Sequence, residues 1–206
     1  MPSYKLTYFP VRGRGEHLRL MFAYAKVQYE DNRITQDQWP ALKPKTPFGQ
    51  LPVLEIDGVM VEQSVALARY LAKQFGLDGK TDMERLQADV FVAHIDDLRN
   101  QYSAMFREQD PDKKAEILKN IQTNVVPSFF EKLNDRVAKN GGFTAGKTIL
   151  WSDIILAEFL DALTIRKTIE PADLASKYPH LAKVKDAVFN TPSVKAYLDK
   201  RPHTDI

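Results

Sequence analysis

The sequence predicts a mixed α/β domain followed by an all-helical domain. Three observations predict it. Up to Gly76, short β-rich segments alternate with apolar helical stripes. Beyond that point no segment reads as a strand, and long stretches with apolar residues at three- and four-residue spacing take over. The chain has 206 residues, long for one average domain and short for three. The expected division is a first domain over 1–76, a linker over 77–82 and a helical domain over 83–206.

Residues 4–9, Tyr-Lys-Leu-Thr-Tyr-Phe, alternate and are β-rich, which predicts a strand ended by Pro10. A loop with Gly13 and Gly15 follows. Residues 16–26 carry Leu18, Leu20, Met21, Phe22 and Ala25 on a helical face, and 27–34 read as a second strand. This β–α–β unit implies a parallel pair. Residues 36–42 suggest a short helix, and the proline-rich 43–49 a loop. Residues 51–56 and 59–61 are strands joined by Asp57-Gly58, a strong hairpin signal. A helix over 63–75 stops at Gly76. In the second half, 82–106 and 111–137 are long helices, the latter kinked at Pro127, and Gly141-Gly142 is a break. Further helices fit 151–166, 171–178, 180–190 and 193–200.

Hydrophobic residues make up 44% and charged residues 27%, enough for a sizeable core. The net charge of +2 is too balanced for nucleic acid or an anionic membrane to be the expected partner. With no cysteine, neither a disulfide nor a thiol nucleophile is available, in keeping with a cytoplasmic location. Neither a signal peptide nor a membrane span is expected from the apolar runs. His17, His94, His180 and His203 are scattered and form no metal-ligand spacing. Gly13-x-Gly15 lacks the third glycine of a dinucleotide fingerprint.

Several residues carry possible chemistry. Tyr8 ends the first strand; it is half-buried packing or a phenol poised to donate a hydrogen bond. Arg14 opens the first helix. Leu51-Pro52 begins a strand, where a cis proline exposes the preceding backbone to an extended peptide. Gln63 and Ser64 stand at a helix start, whose free N–H groups attract an anion or receive a plain cap. Trp39 and Lys43 are four apart and share a face if that segment is helical. Asp97 follows Asp96 on a long helix, usually a solvated position.

Taken together, Tyr-Lys-Leu-Thr-Tyr-Phe, Arg-Gly-Arg-Gly-Glu, Pro-Phe-Gly-Gln-Leu-Pro-Val-Leu-Glu, Gln-Ser and Ala-Arg-Tyr-Leu-Ala, in that order, resemble the cytosolic glutathione transferases across essentially the whole chain. In detail they look like the sigma class, which includes the glutathione-dependent prostaglandin D synthases. The resemblance implies a thioredoxin-like first domain, glutathione as co-substrate, and a dimer of two such chains. It implies that Tyr8 stabilises the glutathione thiolate, with Arg14 adding positive charge. A thiol of pKa about 8.5 is mostly protonated at neutral pH, and lowering it by about two units is worth roughly 2.7 kcal/mol. By the same resemblance, Leu51 and Pro52 hold the cysteinyl unit and Gln63 and Ser64 the γ-glutamyl carboxylate. Trp39, Lys43 and Gln50 border the glycine end, although Gln50 stands where some sigma members carry lysine. Asp97 reaches the γ-glutamyl ammonium of the other subunit. Phe9, Met105, Phe106 and Ile206 fall at electrophile-pocket positions.

The expected activity is conjugation of glutathione to apolar electrophiles. Isomerisation of a prostaglandin endoperoxide or peroxide reduction by the same thiolate is the second reading, and a non-catalytic ligand carrier or crystallin-like structural protein a third. One departure concerns folding. Leu150 stands three residues before Asp153, where the family usually has Ser or Thr, so half of a capping box is missing, with Thr148 or Ser152 as substitutes in a shifted register.

Overall fold

The computed structural model describes residues 2–204; Ile206, expected in the electrophile pocket, lies outside them. The chain forms two compact units, one of Met1–Asp78 with Val188–Ile206 and one of Gly79–Ala187.

The first unit is built on a four-stranded sheet in the order β2-β1-β3-β4, from β1 (Tyr4–Tyr8), β2 (Glu30–Arg33), β3 (Val53–Ile56) and β4 (Val59–Glu62). β1 and β2 are parallel, joined through α1 (Glu16–Ala25); β3 and β4 run antiparallel as a hairpin. Its turn has Asp57 at φ 49° and Gly58 at φ 85°, the paired positive values that a two-residue hairpin favours. α2 (Trp39–Leu42) is a single turn continued by a 3₁₀ turn over Lys43–Lys45. α3 (Ser64–Phe75) buries Leu67, Ala68, Leu71 and Ala72 and ends at Gly76 in the left-handed conformation. Tyr4, Phe22, Phe75 and Tyr29 form a ring cluster in the core, Phe22 and Tyr29 stacked at 4.2 Å.

The second unit is helical: α4 (Asp82–Arg107), α5 (Pro111–Asn120), α6 (Val126–Lys139), α7 (Trp151–Ile165), α8 (Pro171–Lys177) and most of α9 (Pro179–Phe189). α4 starts in a full capping box of Thr81 and Glu84 and buries Phe91, Ile95, Leu98, Tyr102 and Met105 on one stripe. α7 is buried almost all round and packs on α4. The single helix expected over 111–137 is divided by a π turn at Ile121–Val125 just before Pro127. Proline has no N–H and its ring crowds the carbonyl one turn back, and the wider turn relieves both. No helix among the described residues is long and apolar enough to cross a membrane.

The division differs from the expected one at the C-terminal end. α10 (Pro192–Leu198) belongs to the first unit and packs on α1. Val194 is fully buried there, and Ser193 Oγ bonds the carbonyl of Tyr24. The capping box at Leu150 has its Asp153 half only, as expected, and neither Thr148 nor Ser152 is seen to supply the other half. Leu150 is buried at 4% exposure and is the N-cap residue of α7, with no side-chain cap bond. Asp153 closes the turn by accepting the N–H groups of Leu150 and Thr144, each at 2.8 Å. Thr144 and Ser152 pair with each other through their hydroxyls at 2.6 Å beside this turn.

Candidate glutathione site

The strand register gathers three of the predicted features at one end of the sheet. Tyr8 faces Arg33 across β2, Thr7 faces Val53 across β3, and Val53 faces Glu62 across β4. The end of β1, the start of β3 and the end of β4 therefore share one edge. Tyr8, Leu51-Pro52 and Gln63-Ser64 follow directly from these strand ends.

Tyr8 is held from behind by glycines. A Cβ on Gly13 would lie 2.6 Å from the Tyr8 hydroxyl oxygen, and one on Gly15 would lie 2.6 Å from the ring's Cδ1. Only a chain without side chains at both positions lets the loop lie against the ring. The Arg14 N–H, between the two glycines, donates to the Tyr8 hydroxyl at 3.1 Å. That oxygen accepts from the backbone, which fixes where the hydroxyl sits. Phe9 packs beside Tyr8 at 5.8 Å and edge-on to Trp39 at 5.9 Å between ring centroids. Arg14 is half-buried.

The Leu51–Pro52 peptide is cis, as expected, and the β1–β3 ladder stops at the Thr7–Val53 pair. Leu51's backbone therefore lies beyond the ladder. Gln63 occupies φ 73°, ψ 92°, a conformation rarely taken by a residue with a side chain, which costs about 1–3 kcal/mol. Its side chain makes no capping bond to α3, leaving the first N–H groups of that helix for another acceptor. Ser64 is buried at 5% exposure, and its carbonyl lies 3.4 Å from His17 Nε2.

Trp39 starts α2 and Lys43 follows one turn later, its N–H bonded to the Trp39 carbonyl. The Lys43 stem lies over Gly49: a Cβ there would sit 3.3 Å from Lys43 Cε. Gln50, next in the chain, is exposed.

In the helical unit, Met105 and Phe106 meet at a cavity of about 480 Å³ together with Tyr102, Leu118, Arg166 and Thr168. Met105 is buried, whereas Phe106 is 46% exposed and carries the Arg166 guanidinium 5.1 Å from its ring centroid. Burial pushes the Tyr102 hydroxyl well above the usual tyrosine range, keeping it a neutral donor. Asp97 is exposed on α4, while Asp96 is half-buried. The sequence reading missed the glycine cradle of Tyr8, which only the positions of Gly13 and Gly15 hinted at. It also missed Tyr102, Leu118, Arg166 and Thr168, which come from α4, α5 and the turn after α7 with no common spacing.

A sheet of this topology, ending in a phenol, a cis-proline turn and an uncapped helix start, belongs to a class that binds an extended thiol peptide. Two family models place the chain within that class: "Glutathione S-transferase, N-terminal domain" matches residues 4–73 and "Glutathione S-transferase, C-terminal domain" matches 96–201. Among its relatives, "Hematopoietic prostaglandin D synthase" of Gallus gallus is 41% identical over 206 residues, spanning all of both chains. "Glutathione S-transferase S1" of Drosophila melanogaster is 41% identical over 204 residues, 99% of this chain and 81% of that one. The solved prostaglandin synthase D of Nilaparvata lugens has a TM-score of 0.92 at 41% identity, covering 98% of this chain and all of that one. The chain belongs to the glutathione S-transferase family, whose co-substrate is glutathione, and it is sigma-like within that family.

Proposed function

We propose that the chain conjugates glutathione to apolar electrophiles and that Tyr8 stabilises the attacking thiolate. The observation that carries this is the place of the Tyr8 hydroxyl, held 3.1 Å from the Arg14 N–H at the same sheet end as Leu51-Pro52 and Gln63-Ser64. A neutral phenol donating to a thiolate favours the charged form and lowers the thiol pKa. Arg14 adds positive charge. The backbone of Leu51, beyond the end of the β1–β3 ladder, pairs with the cysteinyl unit. Gln63 and Ser64, at the uncapped start of α3, take the γ-glutamyl carboxylate. Trp39, Lys43 and Gln50 receive the glycine carboxylate. The cavity with Met105 and Phe106 in the helical unit takes the apolar second substrate.

The working form is inferred to be a homodimer in the cytoplasm, with Asp97 pairing with the γ-glutamyl ammonium of the other subunit. Phe48, Val59 and Met60 in the first unit, and Met83 and Leu86 in the second, are exposed apolar side chains that a second copy would cover. Isomerisation of a prostaglandin endoperoxide by the same thiolate is the second reading; the relatives named as prostaglandin D synthases support it.

Tyr8→Phe tests the central reading. Turnover with an aryl halide falls about 10–1000-fold while glutathione affinity stays within a few-fold. The absorbance of bound thiolate then rises only at higher pH. Unchanged turnover and an unchanged pH midpoint would make Tyr8 a packing residue.

A further inference from the structure

Beneath Tyr8 lies a charged cluster for which the reaction as described has no use. Arg19, on α1, is completely buried. Its Nη1 donates to the carbonyl of Val11 at 2.7 Å and its Nη2 to the carbonyl of Phe9 at 3.2 Å. Those two carbonyls flank Pro10, where the chain leaves β1 and turns toward Gly13 and Arg14. The guanidinium carbon also lies 5.9 Å from the Tyr8 ring centroid, within reach of the ring's face. One side chain thus braces the loop that sets the Arg14 N–H against the Tyr8 hydroxyl, and it touches the ring itself.

The bracing group is itself held. Arg19 Nε donates to Asp31 at 3.1 Å and Nη1 to Glu16 at 3.3 Å. Glu16, at 1% exposure, accepts the Tyr197 hydroxyl on both oxygens at 3.1 Å and Arg201 Nη1 at 2.9 Å. Asp31 is shared with Arg33 at 2.8 Å. Burial works against Arg19's charge, but Asp31 and Glu16 outweigh it and the guanidinium stays charged. A path of direct contacts therefore runs from α10 through Glu16 and Arg19 to Tyr8, all within the first unit.

The geometry points to Arg19 as a positioning residue for Tyr8, locked in turn by Glu16 and the Tyr197–Arg201 pair of the C-terminal segment. This rests on the reading of Tyr8 as the thiol-activating hydroxyl. Arginine suits the role because its rigid planar fork reaches two carbonyls and two carboxylates at once; a lysine supplies one compact charge and cannot span them.

The test uses the full chain with glutathione and an aryl halide, comparing Arg19→Lys, Tyr197→Phe, Tyr8→Phe and the Arg19→Lys/Tyr8→Phe double variant. Arg19→Lys lowers kcat about tenfold, with KM for glutathione within about threefold, because it loosens a group that acts in the transition state. The pH midpoint of bound thiolate absorbance moves upward. In the Tyr8→Phe background the same change adds little, since residues acting through one another are non-additive. Tyr197→Phe shifts kcat and the midpoint in the same direction by less. Two results overturn the proposal: wild-type kcat and midpoint in folded Arg19→Lys, or an Arg19→Lys loss as large without the Tyr8 hydroxyl as with it. Should Arg19→Lys fail to fold, wild-type kcat and midpoint in Tyr197→Phe overturn it as well. Unchanged turnover in Tyr8→Phe alone would instead refute the reading of Tyr8, an outcome separable from the others.

Discussion

Gly15→Ala is a small change with a calculable effect on Tyr8. Gly15 is buried and its φ of −90° suits any residue, so the backbone itself raises no objection to alanine. The added methyl would lie 2.6 Å from Tyr8 Cδ1, 2.8 Å from Cγ and 3.2 Å from Cβ. Carbon atoms rest at about 3.5–4.0 Å, so the ring has to retreat by roughly 1 Å. Such a movement stretches the 3.1 Å bond from the Arg14 N–H and swings the hydroxyl away from the sulfur's position. A misplacement of about 1 Å costs on the order of 100-fold in turnover. Overpacking of this kind also destabilises by about 1–3 kcal/mol. Steady-state kinetics at saturating glutathione, paired with thermal denaturation, separate the two effects. Turnover falls about 100-fold, affinity for glutathione changes little, and the melting temperature drops by several degrees. Wild-type turnover in a folded Gly15→Ala protein would refute the idea that the glycine cradle sets the hydroxyl.

Lys43→Ala weakens glutathione binding by about 1–3 kcal/mol through loss of a charge-assisted bond, and calorimetry also finds a weaker salt dependence. Leu150→Ser lowers stability by about 2 kcal/mol, because it exchanges a buried apolar side chain for a hydroxyl at a turn already closed by Asp153; a raised melting temperature would contradict this. Burial raises the Asp153 carboxyl to about 7, against the pull of the Thr144 and Leu150 N–H groups. Between about pH 4 and 7 the folded chain then holds a proton that the unfolded chain has lost, so this group's contribution falls as pH rises through that window. Urea midpoints decline from pH 5 to 8 in the wild type, and Asp153→Asn flattens that slope.

The first unit was largely legible because its signals are local. Period-two alternation marks β1, Asp57-Gly58 marks the hairpin, and Gly76 ends α3. The shared position of Tyr8, Pro52 and Ser64 was legible because each residue lies at a strand end or helix start. Placements that depend on distant partners were hidden. Val194 and Tyr197 read as an ordinary amphipathic helix, yet they pack on α1 some 170 residues away in sequence. Arg19 drew no reading from the sequence, because nothing local announces the carbonyls of Phe9 and Val11. The π turn before Pro127 was signalled only as a kink, since a missing N–H predicts a break without saying how it is accommodated.

Several departures from local stability gather in the first unit. Gln63 holds a positive φ with a side chain attached, and two glycines are needed where the chain enters and begins α1. Arg19 and Glu16 are buried where a pair of apolar residues would serve stability as well or better, since desolvating both ions costs several kcal/mol each. All of these lie at or behind the one sheet end where Tyr8 and the start of α3 emerge. In the helical unit Lys167 also holds a positive φ, at 52°, and the leucine at the N-cap of α7 is offset locally by Asp153, which accepts the N–H groups of Leu150 and Thr144. Strain that is repaired on the spot belongs to folding. Strain at Gln63, beside the start of α3, is of the kind that under the proposed reading would hold that helix start ready for a substrate.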